Sequence, residues 1–147
     1  EIEFIIVSLE DGYWVGLGSD HTDRVVEATD VTVSKQMCAK PIANTLWRYA
    51  DVEDHWDDLM LKSTIIVDGK EEAYQEGPVT TMRDPKELIS LYTNGRELAP
   101  GTLMFCGTLA VSGGVRPGDI FQASLSDPKL ERTISYSYKA ASLPPEE

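Results

Sequence analysis

Long apolar runs are missing from this sequence. The longest, such as "FIIV" at 4–7 and "LMF" at 103–105, fall far short of the roughly 20 residues a bilayer-spanning helix needs, so a helical membrane span is excluded. Cysteine is almost missing too: there are two, Cys38 and Cys106, each among apolar or small residues. They read as buried thiols rather than as a disulfide framework, which points to a reducing cytoplasm. Basic residues are scarce, 13 Lys and Arg against 25 Asp and Glu, and no segment gathers enough positive charge to neutralise a phosphate backbone. Nucleic acid and membrane surfaces are therefore not expected partners. Gly-x-Ser-x-Gly, His-Glu-x-x-His and phosphate-loop patterns are absent, which removes the main support for a serine hydrolase, a zinc protease or a nucleotide hydrolase. The first residues carry no basic region and no small-residue cleavage site, so no secretory signal is visible. The chain also opens directly on a strand-like pattern without Met, as expected of a chain lacking an N-terminal segment.

What remains is an ordinary globular composition, 41% hydrophobic and 26% charged, which argues against a disordered chain. Its 147 residues suit one domain, 1–147, with a single core. "EFIIVSL" at 3–9 is β-branched and aromatic, "EDG" turns the chain, and "YWVGLG" at 13–18 reads as the returning strand. "VVEATDVTV" at 25–33 suits either a strand or a short helix. The stretch 41–59 mixes aromatic and acidic residues around a turn or one short helix. "MLKSTIIVDGKEEAYQEG" reads as two strands joined by Asp-Gly, a pair suited to the φ > 0 positions of a tight hairpin. Asp84, Pro85 and Asn94-Gly95 bracket a helix as its N-cap, first residue and stop. Three more strand-like segments follow, the last with Ile134, Tyr136 and Tyr138 on one face, and "LPPEE" reads as a frayed tail. The expected class is mainly β or α+β, with mixed sheets and one or two short helices.

Three stretches carry candidate chemistry. Glu1 and Glu3, two apart at the head of a strand, point to one side of the sheet, where their charges repel unless a cation lies between them. A hard divalent ion, Mg²⁺, Mn²⁺ or Ca²⁺, suits such oxygen ligands; on spacing alone a solvated strand end is the simpler reading. "GSDHTDR" at 18–24 offers Asp20 as a third oxygen ligand, Arg24 as a planar fork for a substrate carboxylate and His21 as a base. An Asx-turn with a surface ion pair fits the same residues. Lys35 and Lys40 flank "QMCA", where a lysine either snorkels to water or orients an anion.

Taken in order, these blocks resemble the fumarylacetoacetate hydrolase family, and more closely a bacterial branch of it labelled only as a domain of unknown function. "EIEF" is similar to the family's Glu-x-Glu strand, which implies Glu1 and Glu3 as metal ligands. "SDHTDR" resembles the loop that supplies a third ligand and an arginine, here Asp20 and Arg24, with Ser19 and Asp23 departing from the pattern. "SKQMCAKPIA" resembles the family's lysine block and nominates Lys35. The Asp-Gly hairpin and the "ELI" helix match in turn. "APGTLMFCGTLAVSGGVRPGDIF" at 99–121 resembles the last Pro-Gly and Gly-Thr run, with Thr102 where Asp is usual and Leu109 where Pro is usual.

The resemblance implies a β-roll catalytic fold, a resident Mg²⁺ or Mn²⁺, a homodimer, and small 2-oxo or 1,3-dicarbonyl acids as substrates. Arg24, Lys35 and His21 become candidate catalytic residues; Thr108, Gly107, Arg24 and Lys35 become substrate contacts. The implied activity is hydrolysis of a C–C bond. Isomerase, decarboxylase and hydratase chemistry belong to the same family, and a non-catalytic domain binding metal and oxo-acid is the other reading. The family's base comes from a segment ahead of the Glu-x-Glu strand, so the resemblance carries no residue over for it.

Overall fold

The computed structural model describes residues 1–141. It is an α+β domain with two four-stranded sheets. β1 (Ile2–Leu9) and β2 (Gly12–Ser19) form the expected first hairpin. Between β2 and the next strand lie α1 (Arg24–Glu27) and α2 (Val31–Gln36). A short β3 (Trp47–Arg48), α3 (Tyr49–Val52) and a 3₁₀ segment, Glu53–Asp58, lead into β4 (Met60–Val67) and β5 (Lys70–Pro78). After α4 (Pro85–Thr93) come β6 (Leu103–Thr108), β7 (Ile120–Asp127) and β8 (Arg132–Lys139). The expected tail at 143–147 lies outside the described residues. No helix among the described residues is long and apolar enough to cross a membrane.

The sheets run β3-β2-β1-β6 and β5-β4-β7-β8. Mixed sheets were expected; the strand pairings observed among the described residues are antiparallel, and three of them, β1–β2, β4–β5 and β7–β8, are hairpins, which dictate that direction. One hydrophobic core joins the two layers, with Ile2, Phe4 and Ile6 of β1 facing Leu61, Leu125 and Ile134 of the other sheet. Phe4 meets Trp56 edge to face, centroids 5.0 Å apart, which ties the 3₁₀ segment to the core.

On the opposite face of β1, Ile5 is also fully buried. Glycine in β2 makes that possible. A Cβ at Gly16 would lie 2.6 Å from Leu46 and 3.0 Å from Ile5, and one at Gly18 would lie 2.8 Å from Phe105. "VGLGS" thus alternates large inward with glycine outward, so that a second apolar layer lies directly on the strand.

The ambiguous 25–33 segment resolves into two short helices because two aspartates cap them. Asp23 accepts from the amides of Val25 and Val26, and Asp30 accepts from that of Val33. The Asp68-Gly69 turn has φ of 50° and 75°, as a tight hairpin requires. α4 is capped by Asp84 and closed by Asn94 in the left-handed region, as its sequence predicts. Of the two free thiols, Cys106 is buried as expected but Cys38 is only half-buried, since it follows the exposed end of α2.

Candidate metal centre

The first hairpin assembles the site. Its register pairs Ile2 with Ser19 and Glu3 with Gly18, and the Asp20 amide continues the ladder to the Glu1 carbonyl at 3.0 Å. Glu1, Glu3 and Asp20 therefore lie on the face of β1 and β2 that points away from the other sheet. Each presents a carboxylate oxygen within 4.8 Å of the others.

Cations crowd this group. The Lys35 ammonium reaches Glu1 Oε2 at 3.0 Å, Asp20 Oδ2 at 2.6 Å and Thr22 Oγ1 at 3.2 Å. Lys40 meets Asp20 Oδ1 at 2.7 Å, and Arg24 meets Glu1 Oε1 at 3.2 Å. Two of the three carboxylates, Glu1 and Asp20, thus face three cations. Burial works against the Asp20 charge, but hydrogen bonds from Lys35 and Lys40 hold its carboxyl below the usual range. Burial also opposes the Lys35 charge, and its bonds to Asp20 and Glu1 overcome this and raise its pKa.

Glu3 differs. It is 4% exposed, and Gly107 N–H donates to it at 2.7 Å. Burial pushes its pKa up to about 7, with the charges of Asp20 and Glu1 adding to the rise and the Gly107 bond opposing it. The Gly107 donor is aimed by a bulge in β6, where Glu3 pairs with Thr108 but Ile5 pairs with Phe105. Gly107 has φ 103° and sits against Met82, so the bulge needs glycine.

The donor set is all oxygen, which fits a hard divalent cation. Burial and the charge of Glu3 push the neighbouring Cys106 thiol up to about 12, so it stays protonated and offers no thiolate to a softer metal.

Two nominated substrate contacts have other work. The Thr108 hydroxyl donates to the Ile2 carbonyl at 2.6 Å and accepts from Gln75 Nε2 at 2.9 Å, and the Gly107 amide is held by Glu3. Both groups join strands through these bonds, while Gly107 is exposed and Thr108 half-buried. His21 stands beside the cluster with Nδ1 3.1 Å from the Tyr138 hydroxyl, which donates to Ser19. Burial, aided by the charge of Lys40, lowers its pKa, so the ring is neutral near pH 7. Sequence reasoning noticed Lys40 without placing it in the site and passed over Gln75. A lysine just before Pro41, five residues after Lys35, was the available signal for the first; Gln75 had none.

Fold and site together define a two-sheet α+β domain with a carboxylate cluster at the open end of one sheet. The chain belongs to the family described as "Protein of unknown function (DUF2848)", whose model matches residues 1–138. No curated protein matches it. Two solved structures of the protein Cg1458 share the fold at 18% identity. One, determined with an inhibitor, gives a TM-score of 0.67 over 92% of this chain and 55% of that one. The other gives 0.64 over 92% and 57%. The chain thus spans little more than half the length of these neighbours.

Proposed function

We propose that this domain is a metal-dependent enzyme that hydrolyses a C–C bond in a small 2-oxo or 1,3-dicarbonyl acid of the acylpyruvate type. The observation that carries the reading is the convergence of Glu1, Glu3 and Asp20 within 4.8 Å beside Arg24, Lys35 and Lys40. Mg²⁺ or Mn²⁺ is the proposed cofactor, with Ca²⁺ a third candidate, held by Glu1, Glu3 and Asp20. Such an ion would polarise the oxo-acid oxygens and lower the energy of the enolate that C–C cleavage produces.

The chain's own cations supply the remaining binding chemistry. Arg24 offers a planar fork to a substrate carboxylate and Lys35 a compact charge, while the neutral His21 ring, oriented by Tyr138, accepts or holds a proton at the rim. The resemblance to fumarylacetoacetate hydrolases supports this reading and extends it to a cytoplasmic homodimer. Isomerase, decarboxylase or hydratase activity on a related oxo-acid uses the same binding groups. The internal bonds of Thr108 and of His21 Nδ1 favour a second reading, a domain that binds metal and oxo-acid without turning it over.

Turnover of acylpyruvates that requires Mg²⁺ or Mn²⁺ is the expected result, and full activity in excess chelator contradicts it. Binding of Mn²⁺ and oxalate by calorimetry, without turnover, assigns the second reading. Lys35→Met separates the two roles of the cations. It removes a charge that faces Glu1 and Asp20, so Mn²⁺ affinity should hold or rise. Oxalate binding to the Mn²⁺-loaded protein should weaken by roughly tenfold or more, the worth of one charged hydrogen bond. Unchanged oxalate affinity would remove Lys35 from the substrate site.

A further inference from the structure

We propose that Gln75 is a positioning residue for the carboxylate cluster, acting from the opposite sheet through the backbone of Ile2 and the hydroxyl of Thr108. Gln75 is 1% exposed and uses its whole amide. Its Oε1 accepts from the Ile2 amide at 3.0 Å and from the Ser63 hydroxyl at 3.4 Å. Its Nε2 donates to Thr108 Oγ1 at 2.9 Å and to the Leu109 carbonyl at 2.7 Å. Thr108 closes the circuit by donating to the Ile2 carbonyl at 2.6 Å.

Ile2 lies between the two glutamates. Both of its peptide polar groups are thereby fixed by side chains from β5 and β6, which sets the direction in which Glu1 and Glu3 leave the strand. Thr108 follows Gly107, the donor to Glu3, so the same amide also holds the bulge that aims this donor.

Gln75 reaches inward because β5 is itself bulged. Ser63 pairs with Gln75 but Thr64 pairs with Ala73, leaving Tyr74 as the extra residue. Tyr74 and Gln75 are consequently consecutive buried positions in the strand. Two bulges, one in each sheet, thus converge on the first three residues of the chain, and bulges commonly re-aim side chains in this way next to functional sites.

The role of this tie rests on the metal-centre reading, but the tie has a readout that needs no metal. In metal-free protein, Gln75→Leu should speed amide hydrogen exchange at Gly107 at least tenfold relative to core amides such as Ile6. In Mn²⁺ titrations it should weaken binding roughly 10- to 100-fold, as loss of an outer-shell partner does. Thr108→Val should move both readouts in the same direction. Ser63→Ala removes only the longest of the Gln75 bonds and should move neither.

A folded Gln75→Leu protein with Gly107 exchange and Mn²⁺ affinity within twofold of wild type overturns the assignment, even if its melting temperature falls. If Gln75→Leu does not fold, Thr108→Val decides by the same thresholds. If wild type binds no Mn²⁺, the metal reading fails and Gly107 exchange alone decides the positioning role.

Discussion

Glu3→Gln is expected to stabilise the metal-free protein at pH 8 while reducing its Mn²⁺ affinity by at least about 100-fold, more than an outer-shell change costs. Glu3 titrates near pH 7 in the folded chain because burial disfavours its charge, against an ordinary value of 4.5. Between those values the folded state holds a proton that the unfolded state has released. Stability therefore falls as pH rises through this window, by a total on the order of 3 kcal/mol once both states are ionised. Gln keeps a carbonyl for the Gly107 amide and never ionises, so the variant should lack this decline. Denaturant unfolding in chelator from pH 4.5 to 8.5 measures it; parallel curves for the two proteins would contradict the argument. Saturating Mn²⁺ should restore the stability of wild type at pH 8 and leave the variant unchanged.

The second large effect belongs to a cluster with no part in the metal site. The Asp127 side chain is fully buried and accepts from His55 Nε2 at 3.0 Å, Leu130 N at 3.1 Å and Arg132 Nε at 3.0 Å. The Arg132 guanidinium lies over Trp47, 4.5 Å from the ring centre. The cluster fastens the β7–β8 hairpin to the 3₁₀ segment and β3. Asp127→Ala leaves a cation and a backbone amide without their acceptor and is expected to cost about 3–5 kcal/mol.

Burial opposes the Asp127 charge, but the bonds from His55, Leu130 and Arg132 hold its carboxyl below its ordinary value. Its contribution is complete above the unfolded value and is lost as pH falls through the lower, folded one, so it adds to acid unfolding below about pH 4. Urea unfolding at pH 7 tests the main effect, and a loss under 1 kcal/mol would refute it. Mn²⁺ affinity of the folded variant should not change, because Asp127 lies roughly 20 Å along β7 from the residue opposite Tyr138.

What the sequence made legible was local. The Asp-Gly hairpin, the Asp84 cap and the alternation of β1 each follow from residues within a few positions, and so does the shared face of Glu1 and Glu3. Asp20 came within reach because a two-residue turn fixes the register of the first hairpin. The 25–33 segment stayed open between strand and helix because its valines suit a strand, while two aspartate caps decide for helix. Thr108 and Gly107 drew attention as a glycine-threonine pair, but the bonds they make to Glu3, Ile2 and Gln75 depend on a bulge, which adds one residue with no fixed signature. Gln75 depends on a second such bulge and on a strand more than 70 residues from Ile2.

The bonds that set Ile2 in place also say when the site comes into being. They span 73 and 106 residues of chain. The hairpin alone can bring Asp20 beside Glu1 early, since that loop is short. Glu3 acquires its donor only after β6 has closed on β1, and Gln75 reaches Ile2 only after the two sheets have docked. Contacts of such separation carry their loop-closure entropy before they return any stability, which makes them late events in folding. Divalent ions present during refolding thus meet at first a carboxylate cluster whose Glu3 still lacks its Gly107 donor, and arrival of that donor and of Gln75 marks the end of folding.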